Sequence, residues 1–255
     1  DKHDDIIVHP ARGNQSGTII NGLAWHLQHS GGGTLSEVGS EHARPGVVHR
    51  LDRHTTGVMV CAKNETSHWR LGKQFEQRRT RKRYVALVHG NVEPLADVID
   101  LPLGKHPTIR HCNAVRWDET GKEAVTLYRV LEQYGDFTLL EIELRTGRTH
   151  QIRVHLSHLG WPIAGDDMYG GRHIEVRDLL PSGQSSGDRR RVVLARQALH
   201  AAMLGFTHPS AETDVEYRAP LPEDISNLIH ILRDRGPVDR PTVAGTVLAV
   251  DDLME

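Results

Sequence analysis

The chain has 255 residues, of which 38% are hydrophobic and 25% are charged, and its formal net charge is −2 at pH 7. This composition is ordinary for a globular protein, and the length suits one large domain or two small ones. No apolar run approaches membrane-spanning length and no signal peptide is visible, so we expect neither a membrane protein nor a secreted one. The two cysteines, Cys61 and Cys112, are too few for a disulfide framework and fit a reducing cytoplasm.

Four β-strands are predicted from apolar or alternating runs that end at turn residues. In chain order they cover residues 58–62, 84–88, 124–131 and 137–144. Because these strands do not alternate strictly with helices, they predict an α+β fold with a largely antiparallel sheet.

Three helices are predicted from capping residues and apolar spacing. Asn64 can cap a helix that runs to about Arg78, and a second helix is expected to have Thr149 as its N-cap and to stop at Gly160. Pro222 suits the first turn of a third helix. The core face of that helix is formed by Ile225, Leu228, Ile229 and Leu232.

Residues 49–60 place one carboxylate, Asp52, between basic side chains and just before an apolar segment. A nearby positive charge favours the ionised carboxylate, and a rigid strand fixes the backbone that carries it. For this motif alone, a polar turn that caps a strand is the simpler interpretation. The flanking residues are His49, Arg50, Arg53 and His54.

A second motif, residues 145–156, favours a functional site over a simple turn. It contains Arg148 on a turn and Arg153 in the first turns of the predicted helix. Two arginines near a helix start oppose the helix dipole, so a carboxylate or a phosphate must offset them. Residues 70–83 carry seven lysines and arginines and one acid. Beside these motifs, the basic run fits a surface that tracks phosphates better than a merely solvated face.

The two motifs resemble those of the RluA-type family of RNA pseudouridine synthases. Among its branches, the sequence is most similar to the RluD branch, which modifies large-subunit ribosomal RNA. Further matching segments follow in the same order and spacing from about Asp5 to about Asp234. These segments cover residues 82–88, 162–170, 198–201 and 219–222, and the cues to the branch are residues 9–14, 106–108 and 121–126.

The resemblance implies the pseudouridine synthase fold, a long bent mixed sheet, largely antiparallel, with flanking helices and a central catalytic cleft. It also implies an isomerase that breaks the bond between uracil N1 and ribose C1′, turns the base and rejoins it through C5, without a metal or other cofactor. Asp52 matches the family's essential aspartate, Arg153 the arginine that pairs with it, and Tyr84 the tyrosine that stacks on the flipped uracil. Without the resemblance, Tyr84 would be interpreted as a core strand tyrosine.

The implied partner is structured RNA, above all large-subunit ribosomal RNA, and the chain is expected to act in the cytoplasm as a monomer without membrane contact. A uridine in folded RNA must leave its stack to reach Asp52. Arg148 could either bind a phosphate or support its own turn. The residues expected to bind RNA are His49, Arg50, Arg148, Arg79, Arg81 and Lys82.

The expected domain organisation is a catalytic domain over residues 1–235 followed by an extended or weakly packed tail over residues 236–255. A Gly- and Ser-rich stretch at residues 181–188 predicts a mobile loop. Many members of the family carry an N-terminal S4-type RNA-binding domain, and nothing in this sequence matches it. The family's usual Asn-Lys-Pro segment is not found between Val8 and His9. This departure predicts residues missing at that junction, since a true deletion would leave unpaired backbone groups.

Other functions fit parts of the pattern. An RNA-binding chaperone for ribosome assembly could use the same fold, and a pseudouridine synthase could act on transfer RNA instead. A glycoside hydrolase would need a second catalytic carboxyl group, which the motifs do not supply. His150, His155 and His158 are poorly spaced for a shared metal ion and form no metal-binding motif, so none is expected. Asp166 and Asp167 are expected to form a turn.

Overall fold

The structure, a computed structural model, describes residues 1–10, 14–30, 35–38, 45–180 and 188–254. The chain forms two compact units. The first unit comprises residues 1–82 and 203–219, and the second comprises residues 83–202 and 220–255. Of the segments singled out in the sequence, residues 11–13 and 181–187 lie outside the described part of the chain.

The described residues combine helices and strands in an α+β arrangement. In chain order the elements are α1 (Ile19–His29), β1 (Thr56–Gly57), α2 (Glu65–Glu76), β2 (Arg81–His89), β3 (Ala96–Asp100), β4 (Leu103–Lys105), β5 (Asn113–Val115), β6 (Val125–Gln133), β7 (Phe137–Leu144), α3 (Gln151–His158), β8 (Ile174–Glu175), α4 (Val176–Leu179), β9 (Val192–Leu194), β10 (Leu199–Thr207), β11 (Asp214–Arg218) and α5 (Glu223–Arg235). None of these helices is long and apolar enough to cross a membrane.

In the first unit, α2 begins at the predicted cap. The Asn64 side-chain oxygen accepts a hydrogen bond from the backbone N–H of Ser67 at 2.8 Å, which satisfies one of the donors left open at a helix start. Leu71, the buried residue of α2, packs in a cluster with Ala62, Leu204 and Phe206. The helix is therefore fixed against β10 through its apolar side, and its opposite side is exposed.

The strand predicted at residues 58–62 is wrong. Among the described residues, regular pairing stops at β1, and beyond it an isolated bridge joins Cys61 to Val47. The physical reason is that the backbone N–H of Val60 donates to the ring Nε2 of His49, at 2.9 Å, and not to a neighbouring strand. A side chain replaces a ladder partner here, and the apolar pattern alone does not reveal that exchange.

The N-terminal segment of the first unit is continuous. Val8 is followed directly by His9 in the sequence, and the segment predicted to be missing at that junction stays a prediction. The backbone carbonyls of Ile7 and Val8 accept hydrogen bonds from the first residues of α1, at 3.0 and 3.1 Å. Lys2 also exchanges both of its backbone hydrogen bonds with Gly57, at 2.8 and 3.0 Å. The polar backbone groups that a deletion would have left open are paired in this way.

The second unit is organised around a sheet of long antiparallel strands. Strands β2, β7, β6 and β3 lie side by side in this order, and each is hydrogen-bonded to the next. The strands predicted at residues 84–88, 124–131 and 137–144 are confirmed as β2, β6 and β7. Every residue of β7 is buried. This strand is therefore covered on both faces, although it carries the polar residues Thr138, Glu141 and Glu143.

Helices α3 and α5 of the second unit follow the predicted spacing but differ at their starts. Pro222 precedes α5, and the four predicted core residues of that helix are all buried, so this prediction is confirmed. Gly160, with φ +86°, follows α3 as predicted. Thr149 is not the N-cap of α3, because His150 takes that position with φ 58° and no capping side-chain bond. The turn before α3 is closed instead by Gln151, which is the first residue of the helix.

The tail after α5 has little regular structure but is attached to the second unit. Its described residues include one 3-10 turn, Asp251–Leu253. Leu248, Val250 and Leu253 are buried, and the backbone N–H groups of Val247 and Leu248 donate to the Glu141 carboxylate at 2.8 and 2.7 Å. The end of the described chain is therefore anchored by both apolar and polar contacts.

Candidate active site

Asp52 of the first unit lies in a short turn that buried residues hold at both ends. Its backbone carbonyl accepts a hydrogen bond from the N–H of Thr55 at 3.2 Å, and its side chain is half-buried. Leu51 before it and Thr55 and Thr56 after it are buried. The carboxylate thus stands on a backbone with little freedom, as site chemistry requires.

The buried side chain of Lys2 holds this turn through hydrogen bonds to backbone carbonyls. The Lys2 ammonium group donates to the carbonyl oxygens of Arg53 at 2.7 Å, Thr55 at 2.8 Å and His3 at 3.0 Å. The residue is only 2% exposed. An ammonium group has three donors and no acceptor, so three carbonyls match it completely. Sequence reasoning did not identify Lys2, because two of its partners lie more than fifty positions further along the chain.

Two of the basic residues beside Asp52, Arg53 and His54, contact acids of the N-terminal segment. The Arg53 side chain pairs with Asp5 at 2.7 Å, and the His54 ring contacts Asp4 at 2.9 Å. All four side chains are substantially exposed, so these pairs contribute little to stability. They nevertheless tie the turn that carries Asp52 to the start of the chain.

His49 supports the segment that leads into Asp52. Its Nε2 accepts the bond from Val60, and its ring stacks on Phe75 with centroids 4.5 Å apart. Burial, with a smaller effect of the Lys82 charge, lowers the pKa of His49 to about 3. The ring is therefore neutral, with its proton on Nδ1. Arg50, the next residue, is exposed.

The basic run of the first unit is partly neutralised. Arg81 lies 3.5 Å from Asp214, and Arg70 pairs with Glu212 at 3.1 Å. Arg79 is exposed, and burial lowers the pKa of Lys82, with Arg78 adding to the effect. The surface predicted to track phosphates is therefore basic but carries acids of its own.

In the second unit, Gln151 builds the turn that carries Arg148. Its side-chain oxygen accepts from the Thr146 hydroxyl at 2.7 Å and from the Arg148 N–H at 3.0 Å. Its side-chain nitrogen donates to the Val125 carbonyl at 3.0 Å and to the Thr126 hydroxyl at 2.9 Å. All four hydrogen bonds open to the oxygen and the nitrogen are thereby made. Sequence reasoning assigned Gln151 no role, since two of its four partners, Val125 and Thr126, lie on the distant strand β6.

Arg148 is exposed and its guanidinium supports the turn as well. Its Nε donates to the backbone carbonyl of Glu123 at 2.9 Å. Of the two roles left open for Arg148, this contact supplies the structural one, and phosphate binding stays a prediction.

Arg153 lies on α3 and is buried against an acid that was expected only to form a turn. Its Nε and Nη2 donate to the two carboxylate oxygens of Asp166, at 2.7 and 2.8 Å. Its guanidinium carbon lies 4.9 Å from the centre of the Tyr169 ring. The bidentate pair uses one edge of the guanidinium, and Nη1 lies outside it. Asp166 therefore does more than form a turn. The sequence signal that could have indicated this is its place in the glycine-containing segment 162–170, which matches the family.

Tyr84 lies on β2 of the second unit, opposite Ile142 of β7, and is 8% exposed.

His155 of α3 bonds through both ring nitrogens, to the Thr126 hydroxyl and to the Leu101 carbonyl, each at 2.9 Å. This histidine is therefore a structural residue. Within the described part of the chain, no group of three or more His, Cys, Asp or Glu residues could hold a metal ion.

Comparisons with known proteins bear on these motifs. The model of the RNA pseudouridylate synthase family matches residues 1–158. The chain is 41% identical over 231 residues to an uncharacterised RNA pseudouridine synthase of Bacillus subtilis, covering 91% of this chain and 68% of that protein. It is 39% identical over 234 residues to the ribosomal large subunit pseudouridine synthase D of Haemophilus influenzae, covering 91% and 67%. The chain thus spans about two thirds of the length of these relatives.

The solved structure of human RNA pseudouridylate synthase domain containing 4 superposes with a TM-score of 0.68. It is 27% identical, and the match covers 94% of this chain and 90% of that one. Three findings define the class of this protein: the largely antiparallel α+β fold, the similarity to this solved structure and the match to the family model. The chain belongs to the RluA-type RNA pseudouridine synthases. It is an isomerase that acts on RNA, and the predicted fold class and family are confirmed.

Proposed function

We propose that this pseudouridine synthase modifies uridines of large-subunit ribosomal RNA and that Asp52 is its catalytic carboxylate. The observation that carries the assignment is the turn of Asp52, a half-buried acid whose backbone is held by the Lys2 ammonium group. Support for the substrate comes from the Haemophilus influenzae relative, whose name specifies the large ribosomal subunit.

The reaction needs a group that manages positive charge at ribose C1′ while the bond to uracil N1 breaks. A carboxylate can attack C1′, stabilise an oxocarbenium-like sugar, or remove a sugar proton to give a glycal. The released base then turns and bonds to C1′ through C5, and the proton on C5 is lost. Each of these routes requires a carboxylate that is held in place, and the anchored turn of Asp52 supplies that fixed backbone.

Arg153 is proposed to pair with Asp52 and to keep it ionised and oriented. The Asp166 contacts at Nε and Nη2 fix the plane of the guanidinium that would make this pair. A charge-assisted N–O bond of about 2.7–3.0 Å is expected between them. Tyr84 is proposed to stack on the flipped uracil, and its rigid position on β2 suits that role.

The remaining residues are proposed to bind RNA. Arg79, Arg81, Lys82 and Arg148 would contact phosphates, while Arg50 would fill the space that the flipped base leaves. His49 belongs to the same group, although its ring supports the backbone before Asp52. We further propose a catalytic domain over residues 1–235 and a cytoplasmic monomer that needs no cofactor. The free thiols of Cys61 and Cys112 fit that compartment.

Tritium release from RNA labelled at uridine C5 tests the proposal. Large-subunit ribosomal RNA and transfer RNA should be incubated separately with the protein, and the modified positions mapped in cells with and without it. Release from the ribosomal RNA, with positions that lose pseudouridine in the deletion strain, would support the substrate. Release from transfer RNA alone would reassign it, and RNA binding without any release would indicate a chaperone.

A further inference from the structure

The loop after α3 is built so that Asp166 has one position. The backbone N–H of Ala164 donates to Leu87 of β2 at 2.9 Å, and the N–H of Gly171 donates to the Asp166 carbonyl at 2.7 Å. A Cβ on Gly171 would lie 1.7 Å from the Ile163 carbonyl oxygen. No larger side chain fits there, so the loop closes tightly on itself.

The Asp166 carboxylate points inward to Arg153. Asp166 is 1% exposed and Arg153 is 5% exposed, and they form the two parallel bonds of a fork-to-fork pair. This geometry fixes the plane of the guanidinium as well as its distance. A single carboxylate oxygen, or a lysine in place of the arginine, would leave that plane free to rotate.

Tyr169 packs on the same guanidinium and is itself held at its hydroxyl. The hydroxyl oxygen accepts from the backbone N–H of Asn113 at 2.9 Å and contacts Nδ1 of His150 at 2.7 Å. Burial raises the pKa of Tyr169 to about 12, so it stays protonated. The ring also packs on the apolar cluster of Leu103, Ala124 and Val154.

We propose that Asp166, with Tyr169 packed against the guanidinium, is a positioning residue for the isomerisation and acts through Arg153. The pair fixes Nε and Nη2, and thereby sets the direction in which Nη1 points. The inference rests on the proposed role of Arg153 and extends it to a residue that contacts neither base nor sugar. A flexible arginine side chain would otherwise lose much of its rotamer freedom on meeting each substrate.

The first test compares Asp166→Asn with Asp167→Asn. Asp167 is the adjacent residue and is exposed, so it controls for a charge change in the same loop. We expect Asp166→Asn to lower the single-turnover rate on saturating RNA about 100-fold, the cost of a small misplacement at a reacting centre. The Kd for RNA should change little, and Asp167→Asn should match the wild type in both. A normal rate for folded Asp166→Asn, or a loss confined to RNA binding, would overturn the inference.

The second test combines Asp166→Asn with Arg153→Lys. If Asp166 acts only through Arg153, the double variant should be no slower than Arg153→Lys alone, because the lysine has already lost the fixed plane. A purely structural role would make the two rate losses multiply. If Arg153→Lys itself has a normal rate, the role proposed for Arg153 fails. If that variant is slow and the losses multiply, only the inference about Asp166 fails.

Circular dichroism and thermal melting should accompany each variant. Should Asp166→Asn not fold, Tyr169→Leu replaces it in the same cycle, since it removes the ring over the guanidinium and leaves the ion pair. Its expected loss is about tenfold, the size of a partly buried cation–π contact. That loss should vanish in the Arg153→Lys background, and a loss that persists there would contradict the positioning role.

Discussion

The ammonium group of Lys2 lies 2.7 Å from the backbone carbonyl of Arg53, the residue that follows Asp52. One buried cation thus sets the path of the turn on which the proposed catalytic carboxylate stands.

Replacing Lys2 with Met should destabilise the first unit and slow the reaction. Methionine keeps the length of the side chain but leaves three carbonyls without their donor, two of them on the Asp52 turn. An unsatisfied buried polar group costs on the order of 1–3 kcal/mol, so we expect a loss of about 2 kcal/mol or more in urea unfolding. Lys63→Met, at an exposed lysine, is the control. Equal stability of the two variants would show that the Lys2 hydrogen bonds do not contribute to the free energy of unfolding.

Asp52→Asn should abolish isomerisation and leave RNA binding intact. The amide keeps the size of the side chain but removes its charge and its ability to attack or stabilise C1′. Tritium release and filter binding measure the two properties separately. Asp118→Asn, at an exposed turn aspartate, should release tritium at the wild-type rate. Near-normal turnover by Asp52→Asn would end the assignment.

The stability of the first unit should fall as the pH drops below about 6.5. His49 is neutral in the folded protein, with a pKa of about 3, whereas the unfolded chain takes up the proton near its ordinary value of 6.5. Unfolding therefore becomes easier with acid between these two values, by up to about 1.4 kcal/mol per pH unit.

Comparison of the wild type with His49→Gln isolates this effect from the other histidines. Glutamine removes the titrating group and can still accept the N–H of Val60 through its amide oxygen. Urea midpoints at pH 7.5 and 5.5 should differ less for the variant than for the wild type. Parallel pH profiles for the two proteins would contradict the neutral state of His49.

RNA affinity should fall steeply with salt because arginines and lysines release counterions from phosphates. Arg79→Glu should weaken binding and reduce the slope of log affinity against log salt by about 1 or more. Arg81→Glu should have a smaller effect, since Asp214 already offsets the charge of Arg81. Neither variant should alter the single-turnover rate on saturating RNA. A salt-independent affinity would reduce the basic run to a solvated face.

The fold was predictable where local pattern decides it. The limits of β7 match the predicted residues 137–144, and the caps at Asn64 and Pro222 lie where the sequence places them. Each of these signals lies within a few residues of the element it defines. The prediction failed at Val60, whose partner is a histidine ring and not a strand.

The candidate site was predicted as a set of motifs and not as a network. Asp52, Tyr84 and Arg153 were proposed from resemblance to a family, which does not give the contacts of these residues outside the motifs. Lys2, Gln151 and Asp166 escaped, because each makes its defining contacts across 13 to 53 positions. No periodicity reports such contacts, since they arise only once the chain has folded.

The contacts of Glu141 with the C-terminal tail matter for any shortened version of the chain. Its side chain is fully buried, with one oxygen facing Arg83 and Arg129 and the other receiving the amides of Val247 and Leu248. Cutting the chain before Val247 would strip half of that coordination from a charge in the protein interior. Residues 247 and 248 thus complete the coordination of the buried Glu141 carboxylate. A chain that ends before Val247 would therefore be a poor substitute for the 255-residue chain in crystallisation or assay.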